Sequence, residues 1–161
     1  MRALRPVLLG VGLAVTIAGC GSGGSATAPA STASARGAAA RFLTRYVTAD
    51  GRVIRHDQGG DIVSEGQAYG MLIAQLAHRP AVARTIWSWT RAHLQRHDGL
   101  LSWHADGAGK VLDPQPATDG DILIAYALLR YDGPEQAALH TAGRRVARAV
   151  LAREAVTLPG G

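Results

Sequence analysis

Residues 64–71 read Ser64-Glu65-Gly66-Gln67-Ala68-Tyr69-Gly70-Met71, and residues 117–125 read Ala117-Thr118-Asp119-Gly120-Asp121-Ile122-Leu123-Ile124-Ala125. In both, a hydroxyl residue is followed by an acid and a glycine, and then by apolar residues at helical spacing. The first stretch fits a capping box, with Ser64 as N-cap and Gln67 at the third helical position reaching back to it. The second repeats the scheme with Thr118 and Asp121. Pro114 and Pro116 keep the preceding chain out of a helix. Glu65 and Asp119 then each take a first helical position. Acids are common there because the helix dipole stabilises them by roughly 0.3–1 kcal/mol, so the two acids alone are weak evidence of chemistry.

Working outward, helical periodicity continues on both sides. Phe42, Leu43, Tyr46 and Val47 form one stripe, closed by an Asp50-Gly51 turn. Ala68, Met71, Leu72 and Leu76 form a second. Val82, Ile86, Trp89 and Leu94 form a third, with Pro80 in its first turn and Asp98-Gly99 beyond its end. Ile122, Ala125, Leu128 and Leu129 form a fourth, stopped by Asp132-Gly133-Pro134. Ala138, Ala142, Val146, Ala149 and Val150 form a fifth. Strand signals are confined to Arg52–Arg55 and Lys110–Leu112. The expected class is all-α, built from helix pairs with polar loops between them.

The first 19 residues read as an export signal. Arg2 and Arg5 precede an 11-residue apolar run, Val7–Ile17, too short for the roughly 20 residues of a membrane span. The run ends Ile17-Ala18-Gly19-Cys20, which resembles the lipobox of bacterial lipoproteins; Cys20 is the expected lipidation site. Gly21 to Ala35 contains only Gly, Ser, Ala, Thr and Pro, a composition that buries no apolar surface and reads as a tether over residues 20–35. The folded domain is expected over residues 36–161. The implied location is exported, held at the membrane through the lipid anchor or released outside the cell.

Taken in order, Gly51-Arg52-Val53-Ile54, the two acid motifs, Trp87-Ser88-Trp89-Thr90, Leu100-Leu101-Ser102-Trp103 and Val156-Thr157-Leu158-Pro159-Gly160 resemble family 8 glycoside hydrolases, the endoglucanases, chitosanases and relatives of clan M. The resemblance covers about residues 38–161. It implies an (α/α)6 barrel of twelve helices in two rings and inverting hydrolysis of β-1,4-linked glucans or related polysaccharides. It implies Glu65 as general acid and Asp119 as the residue that orients the sugar at the scissile site. The first helix lacks the tryptophan usual near its start, Ala68 stands where serine is frequent, and His78-Arg79-Pro80 is shorter than the acidic connection often seen. Five stripes against twelve helices imply the N-terminal part of the barrel, a fragment inactive by itself. No residue matches the family's general base, a carboxylate of the second half.

The chemistry makes its own demands. Inversion needs a protonated carboxyl and an ionised one about 6.5–9.5 Å apart, with water between. The acid must keep its proton near neutral pH, which a helix N-terminus opposes. Burial and a neighbouring like charge supply the opposite influence, and Asp119 is the candidate neighbour. Trp103 is a candidate sugar platform, the alternative being a core plug; Trp89 reads as core, and Trp87 as either. Tyr69, one turn after Glu65, serves for hydrogen bonding to sugar or for packing. Asp121 completes the candidate substrate contacts. Gln67 is better explained by capping than by substrate contact. Arg55, His56, Asp57 and Asp61 precede Glu65 and either line the cleft or solvate the loop.

Composition narrows the alternatives. Hydrophobic residues make up 47% of the chain, which argues against wholesale disorder. One cysteine excludes a disulfide framework and a Cys-based zinc site. His93 and His97 form an i, i+4 pair with no H-E-x-x-H string and no nearby acidic ligand apart from Asp98, so they read as a surface pair and no metal or cofactor is implied. The formal charge is +5, yet the arginines are scattered. The densest group, Arg144, Arg145, Arg148 and Arg153, has no interleaved aromatics and reads as a solvated helix face, not a nucleic-acid interface. Two readings remain: a lipid-anchored glycoside hydrolase acting on polysaccharide, or a non-catalytic glycan-binding lipoprotein derived from the same fold.

Overall fold

The computed structural model describes residues 32–158; Cys20, the export segment and the tract before Thr32 lie outside the described residues. Five helices account for most of the described chain: α1 (Thr32–Tyr46), α2 (Ser64–Leu76), α3 (Pro80–His93), α4 (Thr118–Leu129) and α5 (Gln136–Arg153). The all-α expectation holds. The strands are pieces of two or three residues, β1 (Ile62–Val63), β2 (His104–Ala105) and β3 (Val111–Asp113). They form one antiparallel sheet in the order β1-β2-β3. Ile62 pairs with Ala105 and Val63 with His104, so the sheet clamps the segment that leads into α2. Val53 and Arg55 make isolated bridges to Val47 and Asp61, which is the extended piece expected there.

The helices fall where periodicity puts them, but Leu76, Ile122, Leu129 and Ala138 of the expected stripes are exposed. α1 buries Ala39 and Leu43 against α2. It starts four residues ahead of the expected Arg36, because alanines at 33 and 35 carry high helix propensity. α2 is the hub: it packs against α1, α3 and α4, and α4 packs in turn against α5. Its buried face is Ala68, Gly70, Met71 and Ala74, small enough for close helix approach on more than one side. α4 is apolar on every side. Ile124, Ala125, Ala127 and Leu128 are buried, while Ile122, Tyr126 and Leu129 are exposed. A helix with no polar face is patterned for burial all round. Trp89 is buried, as expected, and so is Trp87.

Both expected caps are corrected. The N-cap positions of α2 and α4 are Val63 and Ala117, in extended conformation and with no side-chain capping bond. Ser64 and Thr118 are the first helical residues, and Glu65 and Asp119 the second. Gln67 does not reach back along its own helix. It is fully buried; its Oε1 accepts the Val53 N–H at 2.6 Å, and its Nε2 donates to Gly51 O at 3.0 Å and Thr90 Oγ1 at 2.8 Å. One amide thus joins the α1–α2 connection to α3. The connection can come that close because Gly51 has φ +97° and lacks a Cβ that would sit 2.4 Å from the Thr85 carbonyl oxygen.

Candidate active site

The two acids, 54 residues apart in sequence, are brought together by the starts of α2 and α4. The contact is made at Gly120, which packs against the Ser64 side chain and the Glu65 backbone nitrogen. A Cβ on residue 120 would lie 2.3 Å from Ser64 Oγ and 3.1 Å from the Glu65 backbone nitrogen. Gly120 is buried, Glu65 half-buried and Asp119 exposed. The Asp119 carboxylate accepts the Gly120 N–H at 2.7 Å, which fixes its direction. Tyr69, one turn along α2 and 45% exposed, senses both acids. Its hydroxyl is pushed above the ordinary phenol value by its hydrogen bond to Glu65 and by the charges of Glu65 and Asp119. Glu65, Tyr69 and Gly66 line an open pocket of about 510 Å³, whose other walls include Phe42, Tyr46, Arg55 and Asp57.

Trp103 reaches the same place by a different route. Its carbonyl accepts the Ser64 N–H at 2.9 Å, and its own N–H donates to Gln115 O at 2.9 Å. The side chain is half-buried and stacks on His104, with ring centroids 4.7 Å apart. Its indole N–H bonds the Asp113 carboxylate, which holds that carboxyl below its usual range. Trp103 is therefore anchored one residue from Glu65 and is partly exposed.

A charge network escaped the sequence reading. Asp61 accepts two bonds from Arg55, Nε at 2.8 Å and an Nη at 2.5 Å, and pairs with His104 Nε2 at 2.9 Å. Arg55 holds Asp61 below the ordinary carboxylate range, aided by His104. Arg55 and Asp57 do line the pocket. His104 gave no signal in sequence, because its partner is contributed by the antiparallel pairing of β1 with β2. His93 and His97 are exposed, and among the described residues no cluster of His, Cys, Asp and Glu is arranged to hold a metal ion.

Asp121 is not a surface contact for substrate. It is wholly buried beneath the site, where its Oδ1 accepts the Leu101 N–H at 2.9 Å and so supports the segment that carries Trp103. Its Oδ2 has no partner, and neither does the buried Oε2 of Glu154. Burial pushes the Asp121 carboxyl up to about 7; Glu154 and Asp98 add to the rise, while the Leu101 bond and Arg96 oppose it. An acid whose folded value lies above its unfolded one binds its proton more tightly in the folded state. Its contribution to stability therefore falls as pH rises from about 4 to about 7 and is level above that. Asp121→Asn keeps the Leu101 bond and removes the titration. In urea denaturation, its stability gain over the parent is expected to grow between pH 4 and pH 7, by on the order of 3–4 kcal/mol; a gain that does not change with pH contradicts this account.

The pattern of glycosyl hydrolases family 8 matches residues 22–136. A probable endoglucanase of Novacetimonas hansenii is 38% identical over 122 residues, which cover 74% of this chain and 32% of that protein. An endoglucanase of Escherichia coli K12 is 31% identical over 129 residues, covering 74% and 35%. Among solved structures, an endoglucanase from Komagataeibacter sucrofermentans superposes with a TM-score of 0.71 at 34% identity, over 78% of this chain and 41% of that one. The endo-β-1,4-glucanase CMCax from Acetobacter xylinum gives 0.68 at 35% identity, over 76% and 40%. The chain spans about a third of the length of the curated relatives it matches. Its five helices form part of an (α/α)6 barrel, and the chain belongs to family 8 of the glycosyl hydrolases.

Proposed function

We propose that this chain supplies the proton-donating part of an enzyme that hydrolyses β-1,4-linked glucan-type polysaccharide by inversion. Glu65 protonates the leaving oxygen, and Asp119 orients the sugar at the scissile bond. One observation carries the reading: the starts of α2 and α4 abut at Gly120, which brings Asp119 beside Glu65 and puts Tyr69 in the field of both acids. The anchored, partly exposed Trp103 beside Ser64 suits a sugar ring, whose apolar face stacks on aromatics. The endoglucanases among its relatives favour a glucan substrate. Inversion further needs an ionised carboxylate about 6.5–9.5 Å from the acid to activate water. Asp119, engaged with the Gly120 N–H, is assigned to orientation instead. The exposed apolar side of α4, Ile122, Tyr126 and Leu129, supports a chain that works within a larger barrel. A location outside the cytoplasm, with Cys20 carrying lipid, rests on the Ile17-Ala18-Gly19-Cys20 string after an apolar run.

Glu65→Gln keeps shape and removes the proton. In the enzyme unit that contains this chain, the expected loss is roughly 10²–10⁴ in rate on soluble β-glucan. The loss should be much smaller on an aryl glycoside whose leaving group needs little protonation. Equal losses on both substrates contradict the assignment. For the anchor, cells expressing Cys20→Ala are expected to release the chain from the membrane fraction, where the parent is retained; an unchanged membrane share contradicts it.

A further inference from the structure

The Arg55–Asp61–His104 network stands beside the pocket that holds Glu65, and its parts are unequal. Arg55 is a permanent cation on a long, flexible side chain, and it lines the same pocket as Glu65. Its charge is held by Asp61 first, then by Asp57 and Glu65. Asp61 is the fixed member. It immediately precedes β1, and its backbone carbonyl accepts the Arg55 N–H at 3.0 Å. Its side chain is 16% exposed. His104, pinned by the Trp103 stack, closes the other side of the carboxylate at 2.9 Å. A two-point bond of this kind sets both the plane and the direction of a guanidinium.

The charged and titratable groups that face Glu65 are few. Tyr69 comes from its own helix, Tyr46 from α1, Asp119 from the start of α4, and Arg55 and Asp57 from the connection before β1. Asp61 and His104 stand behind Arg55. Arg55 is therefore the one cation among them with the reach to pair with Glu65 directly. Such a pair would hold Glu65 ionised, since an opposite charge within about 4–6 Å lowers a carboxyl's titration by roughly 1–3 pH units.

We propose that Asp61 is a positioning residue that holds the Arg55 guanidinium off Glu65 and so keeps that acid free of a direct ion pair. The geometry behind this is the two-point Arg55–Asp61 bond, buttressed by His104, at the wall of the Glu65 pocket. Its meaning for catalysis rests on Glu65 being the proton donor; the positioning itself does not.

The test is a carbon-detected NMR titration of the Glu65 carboxyl in the full chain, with Glu65→Gln supplying the assignment. The parent is compared with Asp61→Asn, Arg55→Gln and the double variant. In Asp61→Asn the freed arginine is expected to lower the Glu65 midpoint by about one pH unit or more. In the double variant, which has no cation to misplace, the midpoint is expected to return to the parent's. Arg55→Gln alone removes a cation that already interacts with Glu65 and is not expected to lower the midpoint. An unmoved midpoint in Asp61→Asn overturns the proposal. So does a drop that persists in the double variant, because the carboxylate is then acting on the fold and not on Arg55. Near-UV circular dichroism follows folding, and a loss of fold in Asp61→Asn that Arg55→Gln fails to repair overturns it equally. Glycan hydrolysis is read in parallel on the enzyme unit. If the midpoints move as expected but Glu65→Gln costs no activity, the proposed function fails and the positioning role stands.

Discussion

Everything at the candidate site depends on the missing side chain at residue 120. Two helices start side by side, and their first turns touch through a glycine whose Cβ, if present, would sit 2.3 Å from Ser64 Oγ. That contact places Asp119 next to Glu65 and leaves Tyr69 in the field of both. The same first turn of α2 is tied to the Trp103 segment by the Ser64 N–H on the Trp103 carbonyl. Glu65, Asp119 and the Trp103 ring, the proposed acid, orienting carboxylate and sugar platform, are therefore referenced to one short piece of backbone. Helices position groups more rigidly than loops do, and a proton donor has to be held to a fraction of an ångström.

Buried polar side chains hold that piece of backbone in place, and each has a specific partner. Gln67 spends its amide on the Val53 N–H, the Gly51 carbonyl and the Thr90 hydroxyl, the last of which also donates to the Ile86 carbonyl. Asp121 spends one oxygen on Leu101 and leaves the other bare beside Glu154. The first arrangement is fully satisfied and stabilising. The second is costly at neutral pH, and it lies directly beneath the segment that carries Trp103. An unsatisfied buried group of this sort is retained where it fixes a geometry that a cheaper residue would not.

Much of this was legible in the sequence, and the failures share one cause. The five helices, the Asp50-Gly51 turn and the burial of Trp89 follow from local periodicity and turn chemistry, which tertiary contacts reinforce. The caps did not survive, although Ser64 and Gln67 have the right spacing. A capping box is worth little once the chain offers Gln67 three buried partners from other elements. Asp121 reads as a substrate contact because its motif opens a helix beside Asp119; only packing shows that its side chain is buried and bonded to Leu101. Asp61 and His104 meet because β1 pairs with β2, a register that two- and three-residue strands do not announce. The glycines beside Glu65 and Asp119 were visible, but glycine costs a helix roughly 0.5–1 kcal/mol and its purpose at 120 is legible only from the neighbouring helix.

That cost provides the sharpest measurement. If residue 120 were an ordinary exposed helical position, Gly120→Ala would stabilise the chain by roughly 0.5–1 kcal/mol through helix propensity. The close approach predicts the opposite sign. An added methyl at a packed contact costs about 1–3 kcal/mol, and Ser64→Ala, which deletes the oxygen 2.3 Å away, should return part of it in the double variant. Urea denaturation of the parent, both single variants and the double variant reads this directly. The account predicts destabilisation by Gly120→Ala with partial rescue by Ser64→Ala. Stabilisation by Gly120→Ala, or effects that simply add, would show that the starts of α2 and α4 are not held together at this point.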